Sequence, residues 1–154
     1  LKNKNERYFY PLNETTNFKL NKFFRKITKN IPNKEMTLII KGRKFIIKNY
    51  FNRIARFNFK ELCSKNIGAE DYIKIAKVCS FIIIENVPIF NTDNSNQQQR
   101  FITLIDILYE KNIPLMISSQ IQLDLLSSSK DLKKIFKRTI SRLYELTSIK
   151  YNKL

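Results

Sequence analysis

Two short runs in this chain, Phe81-Ile82-Ile83-Ile84 and Ile113-Pro114-Leu115-Met116-Ile117, are apolar at every position instead of at alternate ones. A strand with one wet face alternates, so unbroken runs of this length predict strands covered on both faces. Between them, Phe101, Leu104, Ile105 and Leu108 recur at helical spacing, in a segment predicted to be helical to about Lys111. Strand, helix and strand at this separation make a βαβ crossover, which on general grounds is parallel and right-handed. The centre of the fold is thereby constrained to an α/β layer.

The remaining segments extend that layer. Residues 1–16 read as an irregular lead-in containing Pro11, followed by a helix at about 17–30 with Leu20, Phe23, Phe24 and Ile27 on one face. Thr37 to Ile40 and Lys44 to Lys48 flank Lys41-Gly42-Arg43 as a hairpin would. Residues 53–58 read as a further strand, 59–64 as a short helix, and 69–79 as a helix after Gly68. Asn91 to Gln99 reads as a polar loop. A last helix from Asp131 to Leu146 is predicted to bury Leu132, Ile135, Phe136, Thr139, Leu143 and Leu146. The expected fold class is α/β: a mixed sheet with a β-hairpin in the first half and a βαβ crossover plus terminal helix in the second. The 154 residues suit one segment, 1–154, and no apolar run approaches the roughly 18 residues of a membrane span.

Composition removes whole classes of chemistry. The chain has two glycines, Gly42 and Gly68, too far apart for the glycine-rich loop of a Walker A motif. Without histidine there is no Ser-His-Asp triad, Cys-His pair or HExxH zinc helix, and Cys63 and Cys79 alone cannot complete a structural zinc site. No secretory signal accompanies these cysteines, so they read as buried, reduced thiols. The net charge of +16 invites phosphate-bearing partners. A blander cause competes: Lys, Ile and Asn supply 21, 23 and 17 residues against two Val and three Ala, the signature of AT-rich codons. Lys130, Lys133, Lys134, Lys137 and Arg138 cluster, but single-strand binders interleave ring faces with such charges. Here the nearby rings are Phe136, on the core face, and Tyr144, so nucleic acid is not the expected partner.

Several blocks, in order, carry a resemblance: Phe59-Lys60-Glu61-Leu62-Cys63, Gly68-Ala69-Glu70-Asp71-Tyr72, Val87-Pro88, Arg100-Phe101-Ile102-Thr103-Leu104-Ile105-Asp106 with Tyr109, and Phe136-Lys137-Arg138-Thr139-Ile140-Ser141-Arg142-Leu143-Tyr144-Glu145. Together they resemble the C-terminal portion of the ZapE family, or AFG-one-like ATPases, P-loop proteins of the AAA+ class. Departures from that family's pattern are Gln99 for a second Arg, Asn86 for an Asp, and Leu146 for a Met. The resemblance implies that Walker A and Walker B segments lie upstream of this stretch, and the opening Leu1 reads as mid-chain sequence. The chain is therefore expected to be a fragment. It further implies ATP and Mg²⁺ as cofactors of a full-length ATPase, in the bacterial cytoplasm near the division ring and inner membrane, or at the mitochondrial inner membrane. Its partners would be other subunits or division or inner-membrane proteins. Alone, the chain is expected to take no cofactor and to hydrolyse nothing. A non-catalytic, free-standing interaction module is the alternative, and a basic nucleic-acid-binding domain a lesser one.

Candidate site residues follow from the last block. Arg138 and Arg142 stand at i, i+4, so both guanidinium groups leave one helix face. The resemblance makes them nucleotide-sensing candidates, since AAA+ proteins carry a C-terminal sensor Arg. Against this stands an ordinary solvated face, with Arg142 paired to Glu145 and Arg138 to some carboxylate. Phe81 to Asn86 has the outline of a Walker B strand and Ser118-Ser119 ends the next run, yet Glu85 is followed by Asn86 and both features read as structural. Asp106, within an apolar helix, requires a cationic partner if it is buried. Asp71 is expected in the first turn of its helix, where an acid complements the dipole.

Overall fold

The computed structural model describes residues 7–32, 34–64 and 66–150. Its centre is a six-stranded sheet made of β1 (Tyr8–Phe9), β2 (Lys34–Ile40), β3 (Arg43–Phe51), β4 (Ile54–Asn58), β5 (Phe81–Val87) and β6 (Leu115–Ser119). The spatial order is β1-β6-β5-β4-β3-β2. Strands β1, β6, β5 and β4 pair in parallel, whereas β2–β3 and β3–β4 are antiparallel. The helices are α1 (Glu14–Thr28), α2 (Phe59–Cys63), α3 (Ala69–Val78), α4 (Ser95–Glu110) and α5 (Lys133–Leu146). The mixed α/β architecture expected from the sequence is thus present, with β5, α4 and β6 forming the parallel crossover.

The unbroken apolar runs are explained by two cores on opposite faces of the sheet. Ile82, Ile84, Leu115, Ile117, Ala55 and Phe57 join the large core beneath α2 to α5. Their sequence neighbours Phe81, Ile83, Met116 and Ile54 join a smaller core against Leu20, Phe24 and Ile27 of α1. Successive side chains of a strand point to opposite faces, so a strand between two cores must be apolar throughout. In the large core, Phe59, Phe90, Phe101 and Phe136 form an aromatic cluster with ring centroids 5.5–5.7 Å apart.

Several boundaries differ from expectation. Helix α1 starts at Glu14, three residues early, because the Asn13 side chain accepts the Thr16 N–H at 2.9 Å and caps it. It ends in left-handed Lys29 (φ 55°) and Asn30 (φ 59°). The irregular lead-in is corrected: within 7–16, Tyr8 and Phe9 pair with Ile117 and Ser118 of β6. Residues 1–6 of that lead-in lie outside the described residues. Two residues are too few to show any periodicity. The polar loop is shorter than expected, since a 3-10 turn at Thr92–Asn94 leads directly into α4 at Ser95. Ile135 is not in the core but 43% exposed, because Phe136, Thr139, Leu143 and Leu146 fill the buried face of α5 without it.

Candidate functional site

Helices α4 and α5 lie side by side and bring their polar edges together. Asp106 lies four residues before the end of α4, and α5 presents Arg138 and Arg142 one turn apart. Both guanidinium groups meet this one carboxylate: Arg138 Nη2 donates to Asp106 Oδ2 at 3.1 Å, and Arg142 Nη1 to Asp106 Oδ1 at 2.5 Å. Arg142 also lies over the Tyr109 ring, 4.6 Å from its centroid. Tyr109 in turn donates to the Glu145 carboxylate at 3.0 Å, and that acceptor pushes the phenol's pKa above its usual value. Arg142 is half-buried, but Arg138 remains 54% exposed. The Arg142–Glu145 pair of the competing reading therefore does not form. Glu145 is held by Tyr109, and Asp106 is the acid that serves both arginines.

At the carboxyl ends of the parallel strands, the Walker B outline resolves into structure. Glu85 Oε2 accepts from Arg56 Nε at 2.6 Å and Glu85 Oε1 from Arg56 Nη2 at 3.1 Å, a bidentate pair across β4 and β5. Arg56 additionally donates to Asn21 of α1 at 2.7 Å and stacks on Phe24. Ser118 Oγ accepts the Asn86 N–H at 3.0 Å, and Ser119 Oγ donates to the Val87 carbonyl at 2.9 Å. These groups stitch strand ends together. Beside them a cleft of about 380 Å³ is lined by the side-chain amides of Asn58, Asn86, Asn94 and Gln97, with Lys60 and the Phe59–Pro88 wall.

The other candidates take structural places. Cys63 and Cys79 are buried, and burial pushes both thiols up to about 12, so neither is a nucleophile near neutral pH. Asp71 is buried at the start of α3, accepting the Gly68 N–H at 2.8 Å and pairing with Arg43 of β3 at 2.6 Å. Arg7 escaped the sequence reading. It is 5% exposed and donates to the carbonyls of Leu115, Leu146 and Ile149 at 2.9, 3.0 and 2.7 Å, so one guanidinium clamps β6 to the end of α5. A cation suits a helix C-terminus, where carbonyls lack partners. The only signal in the sequence was an Arg next to the apolar Tyr8-Phe9 pair. Arg56 was likewise missed, because its partner lies 29 positions away.

Neither glycine lies in a phosphate-binding loop. Gly42 (φ 74°) serves the β2–β3 turn and Gly68 caps α3. Among the described residues, no group of three or more His, Cys, Asp or Glu could hold a metal ion, and no helix is long and apolar enough to cross a membrane. Among the described residues, these glycines and acids thus supply neither a glycine-rich phosphate loop nor an acidic metal cluster.

Comparison with known proteins gives consistent answers. The family model described as AFG1-like ATPase matches residues 2–154. The chain is 27% identical over 143 residues to the cell division protein ZapE of Escherichia coli K12, covering 93% of this chain and 38% of that protein. It is 34% identical over 87 residues to Lactation elevated protein 1 homolog B of Danio rerio, covering 56% of this chain and 17% of that one. It is 31% identical over 124 residues to an uncharacterised Schizosaccharomyces pombe protein, covering 79% of this chain and 27% of that protein. The chain thus spans less than two fifths of the length of these curated relatives. No solved structure matches it.

Proposed function

Because the chain belongs to the AFG1-like ATPase family, we propose that it acts as the C-terminal portion of a ZapE-like ATPase whose nucleotide-binding P-loop lies in another part of the protein. What supports this reading is a family match along 2–154 together with two glycines, Gly42 and Gly68, that serve a hairpin turn and a helix start and not a phosphate loop. Binding and hydrolysis of ATP with Mg²⁺ then belong to the full-length protein, and this portion contributes residues to the assembled enzyme. The candidates for that contribution are Arg138 and Arg142. Asp106 holds both in fixed orientation, and Arg138 keeps an exposed guanidinium. A pre-oriented cation avoids the entropy cost of ordering a free side chain when a phosphate arrives.

The name of the Escherichia coli relative favours a role in cell division; a cytoplasmic place beside the inner membrane is what the family resemblance implies. In a eukaryotic setting, the family resemblance would imply the mitochondrial inner membrane and protein quality control. A non-catalytic interaction module is favoured by one feature: β1 adds an edge strand beside β6, and residues of 7–150 pack both cores.

The test is steady-state ATP hydrolysis by a full-length protein carrying Arg138→Ala or Arg142→Ala. A fall in kcat of about 10²-fold is expected for a residue that meets developing charge. Unchanged turnover in both variants abandons the sensor assignment.

A further inference from the structure

We propose that two copies of this chain pair through the outer edge of β2, joining their sheets antiparallel about a two-fold axis at Leu38. Strand β2 ends the sheet, with β3 on one side and no strand on the other among the described residues. Lys41 (φ 51°) and Gly42 (φ 74°) make a two-residue turn of the type I′ kind, closed by the Ile40–Arg43 pair. Hydrogen-bonded pairs alternate with unbonded ones along an antiparallel ladder. Ile40, Leu38 and Met36 therefore bond to β3, and the N–H and C=O groups of Thr37 and Ile39 point to the open edge. Among the described residues, no turn, loop or cap hydrogen bond reaches either of them.

Natural sheets blunt such edges with proline, charge, a bulge or a covering element. Residues 36–40, Met-Thr-Leu-Ile-Ile, carry neither proline nor charge, and the bulge of this hairpin falls before them, between Lys34 and Met36. Exposed isoleucines border the stretch on both faces of the sheet. Ile39 and Ile46, 57% and 45% exposed, lie on the face turned away from the large core, and Ile73 of α3 is 40% exposed. Glu70 of α3 reaches Lys41 at 2.9 Å, and Ile73 stands one turn further along that side of the helix.

The strand's own sequence selects a second copy as the occupant. With the axis at Leu38, Thr37 faces the copy's Ile39 and Ile39 its Thr37, so each outward N–H meets an outward C=O. Glu35 then faces the copy's Lys41 at both ends of the ladder, and facing Cβ atoms are about 4.5–5.5 Å apart. Glu35 has no ion pair among the described residues, and Lys41 spends one of its three donors on Glu70. Moving the axis to Thr37 would set Glu35 against an isoleucine, and moving it to Ile39 would run the strand past the copy's turn. The opposite edge, β1, is two residues long, so the pairing closes at two copies and does not propagate. A single edge ladder buries less than the roughly 1,600 Å² of a standard interface, so the dilute chain stays monomeric. The pairing does not depend on the ATPase reading.

The test is sedimentation equilibrium of the 154-residue chain from about 5 to 300 µM at about 0.15 M salt. A monomer–dimer equilibrium with a Kd on the order of 10–100 µM is expected. Thr37→Pro removes an outward N–H that β3 does not use and should abolish the dimer, with melting curves confirming that the variant folds. Glu35→Lys and Lys41→Glu should each weaken self-association by about five-fold or more, since each sets like charges opposite one another at both ends. An equimolar mixture of these two variants restores both ion pairs across the axis, and its mixed dimer should return to within about three-fold of the unaltered Kd. Net charge alone predicts the opposite sign for Lys41→Glu, which lowers the +16 and eases repulsion between copies. Tighter association of Lys41→Glu therefore overturns the proposal. So do a chain monomeric at every concentration, which leaves the edge to another protein's strand, assembly beyond two copies, an unchanged dimer in Thr37→Pro, or a mixture no tighter than its components.

Discussion

The parallel strands β4 to β6 and the hairpin β2–β3 belong to one sheet but meet solvent differently. In β5 and β6 the residues facing α1 and those facing α3 to α5 are buried alike, because helices cover both sides. In the hairpin one face is covered: Leu38, Ile40, Phe45 and Ile47 are buried, while Ile39 and Ile46 on the reverse are 57% and 45% exposed. Helix α1 shields Ile54, Phe81, Ile83 and Met116, and the hairpin's reverse face extends past that cover. Apolar residues are therefore not equivalent across this sheet, and an isoleucine contributes according to which helix lies above it.

The comparison is broken most readily at its centre. Ile84→Ala, in a fully buried position of β5, should cost about 2–5 kcal/mol in urea unfolding, the usual range for a core truncation. A cost near that of a surface change would show that the double-covered half is not the stability centre.

The tie between the halves comes next. Asp71 of α3 holds Arg43 of the hairpin and the Gly68 N–H at once, and Tyr50 of β3 donates to the Val78 carbonyl at 2.5 Å. Asp71→Ala should cost about 1–3 kcal/mol and loosen the hairpin in hydrogen exchange before it loosens β5. Simultaneous loosening of both would mean that the two halves unfold as one unit.

Alkaline pH probes the thiols that line the large core. Their folded pKa values, raised by burial to about 12, exceed the value of about 8.5 in an unfolded chain. The folded state thus retains protons that the unfolded state loses. Stability from burying the neutral thiols is complete below about pH 8.5 and declines as pH rises towards 12, by about 1.4 kcal/mol per pH unit for each thiol. Chemical unfolding from pH 8 to 11 should show this decline, and Cys63→Ala should remove part of it. The smallest effect belongs to the bare hairpin face: Ile39→Thr should change stability by about 0.5 kcal/mol or less, read by the same unfolding curves.

Much of this architecture was legible in the chain itself, for reasons that also mark where reading fails. The runs at 81–84 and 113–117 announce double coverage because every position must be apolar. The turn at Lys41-Gly42-Arg43 announces the hairpin because Gly42 takes a positive φ. What periodicity cannot carry is the choice of partner. Arg142 pairs with Asp106, 36 positions away, and not with Glu145 at i+3, because α4 brings a carboxylate closer than its own helix does. Arg7 and the two-residue β1 were illegible for the same reason, since each is defined by what it touches on β6 and α5. Ile135 sits one step beyond an already filled face. The family blocks fall on α2, α3, the end of β5, α4 and α5, so recognition rested on segments that pack the large core or its edge.

The central claim, that the ATP site of this family lies outside these residues, is tested most directly by titrating MgATP into the purified 154-residue chain in a calorimeter, with a full-length relative as the positive control. The account predicts no saturable heat from the chain at ATP concentrations that saturate the control. Saturable, Mg²⁺-dependent binding to the chain alone would contradict it.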